Sequence, residues 1–291
     1  MLIALQIISG LVSAAILFLL ASGLSLIFGV CRVLNLAHGA FFMLAAYLAY
    51  TGTLLLADSG GASFWVTLIV APLVLAGFGA LVEVTLFRRI YRADILVQLL
   101  PTIAITFIVA DVIRFIWGLD SKTVPFPSGL PGAISIYEVT FPSYYAVIVL
   151  AGAIVALGLW ILVYRTRWGI LVRAIAQDRD MSASLGINES AIYTGVFALA
   201  AWLAGMAGVL SAPLSGASLG SDLDAMIDAF VVVVVGGLGS IPGALLAAIL
   251  IGMVRSFGIL VIPQFAMAFV FGLMAVVLIV RPTGLLGRRE S

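Results

Sequence analysis

Residues 229–254 read Ala229-Phe230-Val231-Val232-Val233-Val234-Val235-Gly236-Gly237-Leu238-Gly239-Ser240-Ile241-Pro242-Gly243-Ala244 and continue through apolar residues to Val254 without a charge. The run exceeds the roughly 20 apolar residues that a helix needs to cross a hydrocarbon core about 30 Å thick. Four glycines and a proline at its middle cannot hold a continuous helix. Non-helical backbone at membrane depth is tolerated only where protein or a water-lined cavity covers it. A broken or re-entrant helix near 236–243 is therefore expected, and it points to function.

Seven further stretches carry no charge: 1–31, 33–57, 59–82, 95–110, 139–164, 190–221 and 256–280. Hydrophobic residues make up 64% of the 291 and charged ones 9%, against about 25% charged in a soluble domain. The expected fold is all-α: one polytopic membrane domain over 1–291 with about eight hydrophobic segments. A β-barrel would show short alternating segments instead. The net charge of +1 gives nucleic acid no electrostatic footing; the partner implied by composition is membrane lipid. Cys31 is the single cysteine and forms no intrachain disulfide. Residues 1–31 lack a basic start and run too long for a signal peptide, so they read as a retained helix.

Cations cluster at Arg88, Arg89 and Arg92; at Arg165, Arg167, Arg173 and Arg179; and at Arg281, Arg288 and Arg289. The positive-inside rule places these segments, and the C-terminus, in the cytoplasm. The loops 118–138 and 213–228 then lie outside, the second bearing Asp222, Asp224 and Asp228 with no cation. Two apolar runs separate the first and second clusters, which returns the chain to the same side. Three runs separate the second and third, so one of them must re-enter or cross twice, and 229–254 is the candidate.

The N-terminal third repeats this layout. Its middle run opens on Asn35-Leu36-Ala37-His38-Gly39-Ala40, a second expected break near 35–40. A degenerate internal duplication of the transporter kind follows as a hypothesis. In its symmetric form both termini are cytoplasmic; if 33–57 simply crosses, the N-terminus is outside.

From Ile170 the apolar positions 171, 172, 175, 176 and 183 form the stripe of a short amphipathic helix that Gly186 can stop. Such a segment, about 165–189, is either a cytosolic connection held at the headgroups or a helix that docks on a cytoplasmic partner.

Four motifs carry a family resemblance. Gly23-Leu24-Ser25-Leu26-Ile27-Phe28-Gly29-Val30-Cys31-Arg32-Val33-Leu34-Asn35-Leu36-Ala37-His38-Gly39-Ala40-Phe41-Phe42-Met43-Leu44-Ala45-Ala46-Tyr47 resembles the opening of the inner-membrane permeases of branched-chain amino acid ABC importers. Arg173-Ala174-Ile175-Ala176-Gln177-Asp178 with Gly186-Ile187-Asn188 resembles their ATPase-contacting loop. Val235 to Ala244 and Arg281-Pro282-Thr283-Gly284-Leu285-Leu286-Gly287 complete the order. The type resembled is the high-affinity leucine, isoleucine and valine permease that partners a second, homologous membrane subunit.

The resemblance implies a bacterial inner-membrane translocation subunit, not an enzyme. Its partners would be the second permease, two cytosolic ATPases and an external substrate-binding protein. ATP and magnesium would sit on the ATPases, with no cofactor on this chain, which indeed has no G-x-x-x-x-G-K-[ST]. Arg173, Ala174, Gln177, Asp178, Asp180, Gly186 and Asn188 would form the coupling loop.

The substrate path is expected along Asn35, His38 and Gly39 and along Gly236, Gly237, Gly239 and Ser240, where half-helix N-termini can hold a carboxylate. A lone histidine builds no metal site, so the plain alternative has His38 bonding backbone freed by a break at Gly39. Gln98, Thr102 and Thr106 recur on one helix face, with Pro101 available to kink it, as a polar stripe of the path or as interhelical glue. Asp111 and Arg114 are spaced to pair over one turn. Glu83 is expected to reach the inner headgroups.

Ser221 to Asp224 reads as a capping box; Asp222 and Asp224 would also face the binding protein. Gly205 and Gly208 read as helix-packing residues.

A self-powered secondary transporter would place ionisable groups at mid-membrane, and no Asp, Glu or Lys lies at the centre of a charge-free run. Urea or short amides remain an alternative cargo, since an apolar bundle does not declare its substrate.

Overall fold

A computed structural model describes residues 2–56, 62–91, 93–136 and 139–287. Arg92, Arg288 and Arg289 of the arginine clusters lie outside them, as does Glu138. Eleven α-helices account for most of the described chain. They are α1 (Leu2–Cys31), α2 (Ala37–Leu55), α3 (Ser63–Thr85), α4 (Ile95–Trp117), α5 (Ser143–Arg165), α6 (Arg167–Gln177), α7 (Arg179–Ser184), α8 (Glu189–Ser215), α9 (Ser221–Gly236), α10 (Ile241–Val261) and α11 (Ala266–Val280). A small hairpin, β1 (Ala133–Ile136) and β2 (Val139–Pro142), interrupts the all-α pattern, with Ala133 opposite Pro142. Eight helical segments are long and apolar enough to cross a membrane; α9 is too short to be counted with them.

The two ends of the bundle differ in chemistry. At one end Glu83 meets Arg88 and Thr194, Arg179 meets Glu189, and the strap 281–287 bonds the last carbonyls of α9. At the other, Trp117 bonds Thr51, Lys122 bridges Ala217, and Tyr144 donates to the Leu210 carbonyl. Every described residue of the three arginine clusters belongs to the first end. α8 leaves it and α9 returns to it, so four helices, not three runs, separate the second and third clusters, and parity is restored by a double traverse of 213–254.

The break at 237–240 holds as expected, but its depth does not. Gly239 packs against Gly29, two residues from the end of α1, and Gly237 packs against Gly284 and Gly287. The break lies at the arginine end. In the N-terminal third the break is 32–36, upstream of the expected Gly39, which is helical. Arg32, at φ 54°, ends α1 in the left-handed conformation. The chain then doubles back, so that α2 starts beside Leu20 and Gly23, well inside the bundle.

Packing bears out a duplication and changes its sense. α1 packs on α10 as α3 packs on α8, α2 meets α3 as α9 meets α10, and a 3-10 turn follows α3 (Phe87–Arg89) and α10 (Pro263–Phe265) alike. α1 and α8 are the most buried long helices, while α4 and α11 are among the most peripheral. α1 runs toward the arginine end and α8 away from it, so α1–α4 and α8–α11 are inverted copies. The start of α1 accordingly lies opposite the arginines, which removes the symmetric version with both termini on one side.

Small residues permit this closeness. A Cβ on Gly208 would strike the Phe42 carbonyl, and one on Gly205 would lie 2.8 Å from Pro72 Cα. Among helices without a hydrophobic drive to associate, such backbone approach is a main source of attraction.

Candidate translocation and coupling site

At the centre of the bundle the N-termini of α2 and α9 meet. Gly39 lies against the carbonyl of Asp222, and Met226 stands beside it. Gly23 of α1 fills the remaining corner: a Cβ there would be 2.7 Å from His38 Cε1 and 2.9 Å from the Ala200 carbonyl oxygen at the middle of α8. Two positive helix ends thus converge at mid-bundle.

Polar atoms without a protein partner concentrate on the α1 and α2 side of this crossing. Asn35 and His38 are fully buried. Neither amide atom of Asn35 has a hydrogen-bond partner, nor do His38 Nδ1, Ser25 Oγ and the Tyr47 hydroxyl. His38 Nε2 lies 2.9 Å from the carbonyl oxygen of Leu20, in the intact α1, rather than from backbone freed at Gly39. Buried polar groups are normally satisfied; among the other described side chains only Gln98 Oε1 shares this lack.

Other expected path residues are placed elsewhere. Gly236, Gly237, Gly239 and Ser240 lie at the arginine end, away from this crossing. Ser240 caps α10 by accepting from Gly243 N at 3.1 Å, and Gly237 N donates to the Val233 carbonyl. Gln98 Nε2 donates to the Ala93 carbonyl at 2.8 Å, and Thr102 and Thr106 donate within α4, to Leu99 and Thr102. None of the three bonds another helix, and Gln98 lines a cavity with Val30, Tyr91 and Tyr193.

Three further corrections concern charge and caps. Glu83 is wholly buried within the protein rather than reaching out to the headgroups, and Arg88, Tyr91 and Thr194 all donate to it. Burial and the nearby Glu83 carboxylate hold the Tyr91 phenol well above its usual range, so it remains a donor. Gly220, not Ser221, is the N-cap of α9, and the Ser221 hydroxyl donates to Ser218. Asp222 is buried and presents no face to an outside protein, whereas Asp224 is exposed. Asp111 and Arg114 pair as spaced, at 3.0 Å.

At the arginine end α6 and α7 lie between α5 and α8. Gly169, Val172 and Ile175 turn inward, and Thr166 caps α6 by accepting from Gly169 N. Arg173 reaches back to the Val163 carbonyl and stacks on Tyr164 at 5.4 Å, so it anchors the segment. Asp178 caps α7, Asn188 caps α8, and Gly186 turns the chain between them at φ 79°. Four of the seven expected coupling residues therefore shape the loop; Gln177 and Asp180 are exposed, and Ala174 is half-buried. Among the described residues no group of three or more His, Cys, Asp or Glu is placed to hold a metal.

Residues 6–278 match the family described as the permease component of branched-chain amino acid transport systems. The chain belongs to that family. The permease is 32% identical to the high-affinity branched-chain amino acid transport system permease protein BraD of Pseudomonas aeruginosa, over 98% of this chain and 96% of that one. It is 27% identical to LivH of Salmonella typhimurium, with the same coverage, and 28% identical to that organism's LivM over 93% of this chain and 68% of the other. No solved structure matches.

Two features of the permease escaped the sequence reading. Met181 and Leu185 are 59% and 74% exposed on α7 and its end, beside Asp180. Their i, i+4 spacing was a legible signal, masked because Leu185 follows the apolar stripe without sharing its face. Asp228 and Arg255 are the second: each bounds a charge-free run and so reads as loop, but Asp228 lies at the middle of α9 and Arg255 inside α10, bonded at 2.6 Å. The loop 213–228 shrinks accordingly to the few residues between α8 and α9.

Proposed function

We propose that this chain is the membrane permease of an ATP-driven importer that carries branched-chain or similar hydrophobic amino acids into the cytoplasm. The observation that carries the reading is the family match over nearly the whole chain, with relatives named for that transport system. Similarity to both LivH and LivM supports a second, homologous permease beside this one. Two cytosolic ATPases, which hold the ATP and magnesium, and an external binding protein complete the assembly.

By the positive-inside rule the arginine end faces the cytoplasm, C-terminus included. α6 and α7 then form the coupling element: Gln177, Asp180, Met181 and Leu185 meet the ATPase, and Arg173 and the capped turns transmit its movement to α5 and α8. The cargo passes beside α9, between this chain and the second permease, and the crossing of α2 and α9 behind it, with the buried polar atoms of Asn35 and His38, lets the helices separate and close at Gly39.

Deleting the chain from a cell that depends on it for uptake tests this. Leucine uptake should vanish and return on re-expression; retained leucine uptake with lost urea uptake would transfer the reading to an amide permease.

A further inference from the structure

Arg255 Nη1 and Asp228 Oδ2 lie 2.6 Å apart, joining α10 to α9, and their side chains are 38% and 25% exposed. Asp228 sits at the middle of α9 and Arg255 four residues past the middle of α10, so the pair is at membrane depth. Leu223, Ile227 and Phe230 form an exposed apolar stripe along the same helix, and Asp224 stands one turn before Asp228. A partly exposed ion pair on a face turned to hydrocarbon is costly; such charges face a bundle interior or a water-filled path. The homologous second permease supplies the protein cover, and the seam between the two supplies the water.

We propose that Asp228 and Arg255 form a recognition site for a zwitterionic α-amino acid. Arg255 takes the carboxylate, Asp228 the ammonium, and Ile227, its neighbour on α9, the aliphatic side chain; the inference rests on the amino-acid reading above. A guanidinium fork matches a carboxylate in two parallel hydrogen bonds. When no substrate is present the two charges neutralise each other. A bound zwitterion opens the pair and supplies each partner with its opposite charge, so the net charge at membrane depth never changes. Urea, which carries no ionised group, cannot make this exchange. Asp224 adds negative potential on the approach and favours entry ammonium-first.

The test uses cells in which the complete transporter carries the chain as D228N, R255Q, D228N/R255Q or the charge-reversed D228R/R255D. Each single change should lower leucine uptake at least about tenfold with unchanged membrane abundance, as expected when a hydrogen bond to a charged group is lost. The double and reversed variants should remain as low. Near wild-type uptake in either would show a merely structural pair and overturn the site.

A second measurement does not depend on those variants folding. Ile227→Cys in a Cys31→Ser background should be labelled by a water-soluble thiol reagent, and leucine but not urea should slow the labelling. Labelling indifferent to leucine overturns the site. Leucine uptake that survives deletion of the chain would overturn the import reading itself, whereas chain-dependent uptake that is normal in D228N/R255Q overturns the site alone.

Discussion

His38 reaches from the first turn of α2 to the backbone of α1, with Nε2 2.9 Å from the Leu20 carbonyl oxygen. A carbonyl only accepts, so Nε2 carries a proton; burial without a charged partner keeps the ring neutral, which leaves Nδ1 an acceptor. The neutral ring ties the start of α2 to α1 while offering one unpartnered acceptor to the crossing. His38→Ala removes this bond and leaves a cavity in the interior, and should destabilise the permease by about 1–3 kcal/mol. Thermal unfolding in detergent checks this, and uptake at matched abundance separates it from a role in transport.

Gly39→Ala drives a methyl group into the Asp222 carbonyl, and Gly208→Ala does the same at Phe42. Backbone cannot rotate away as a side chain can, so each should cost about 1–3 kcal/mol by overpacking. The two differ in consequence. Gly208 holds α8 to α2, so its change should lower stability; Gly39 stands where α2 and α9 meet, so its change should also reduce uptake per folded molecule.

The helices were legible because lipid demands it: a chain with so few charges can satisfy its backbone only in helices, and runs such as 1–31 and 190–221 map onto α1 and α8. Where a segment sits in depth was not legible. Residues 236–243 and 35–40 both read as breaks, but only the folded packing puts the first at the arginine end and moves the second to 32–36, where the chain turns back so that α2 starts deep in the bundle. Asp228 and Arg255 were hidden for a related reason. A charge ends a run in the sequence whether it lies in a loop or inside a helix with its partner, and the partner is contributed by another helix.

Glu83 carries three donors and is wholly buried, whereas its cation Arg88 is 39% exposed. Removing the carboxylate strands the phenol of Tyr91, while the Thr194 hydroxyl can still donate to the Ser190 carbonyl at 2.9 Å and Arg88 can turn to water. Glu83→Ala should therefore cost about 2–3 kcal/mol, less than the loss of a fully buried ion pair. Denaturation of the purified chain measures it, and Glu83→Gln should recover part of the loss, since its one carbonyl oxygen still accepts from Tyr91 or from Thr194.

Met181 and Leu185 project from the arginine end with few internal contacts to lose. Met181→Asp with Leu185→Asp should leave the melting temperature within about 0.5 kcal/mol of wild type in stability, as for surface changes generally. Co-purification of the ATPase subunits should nevertheless fall sharply. Normal recovery of the ATPases would remove these residues from the coupling surface.

The strap 283–287 caps α9 from outside the helix: Leu285 N donates to the Val235 carbonyl at 2.8 Å and Leu286 N to the Gly236 carbonyl at 3.0 Å. Gly237 turns away from them at φ 102° and packs against Gly287. Gly237→Ala thus incurs two costs, about 1–2 kcal/mol for a side chain in a left-handed conformation and a further clash with the strap. Truncation after Pro282 removes the clash along with the cap. The two changes share a contact, so they should be non-additive, with Gly237→Ala costing less in the truncated chain by about 0.5–3 kcal/mol. Unfolding free energies of the four proteins in this cycle measure the coupling, and strict additivity would show that the strap does not hold the turn.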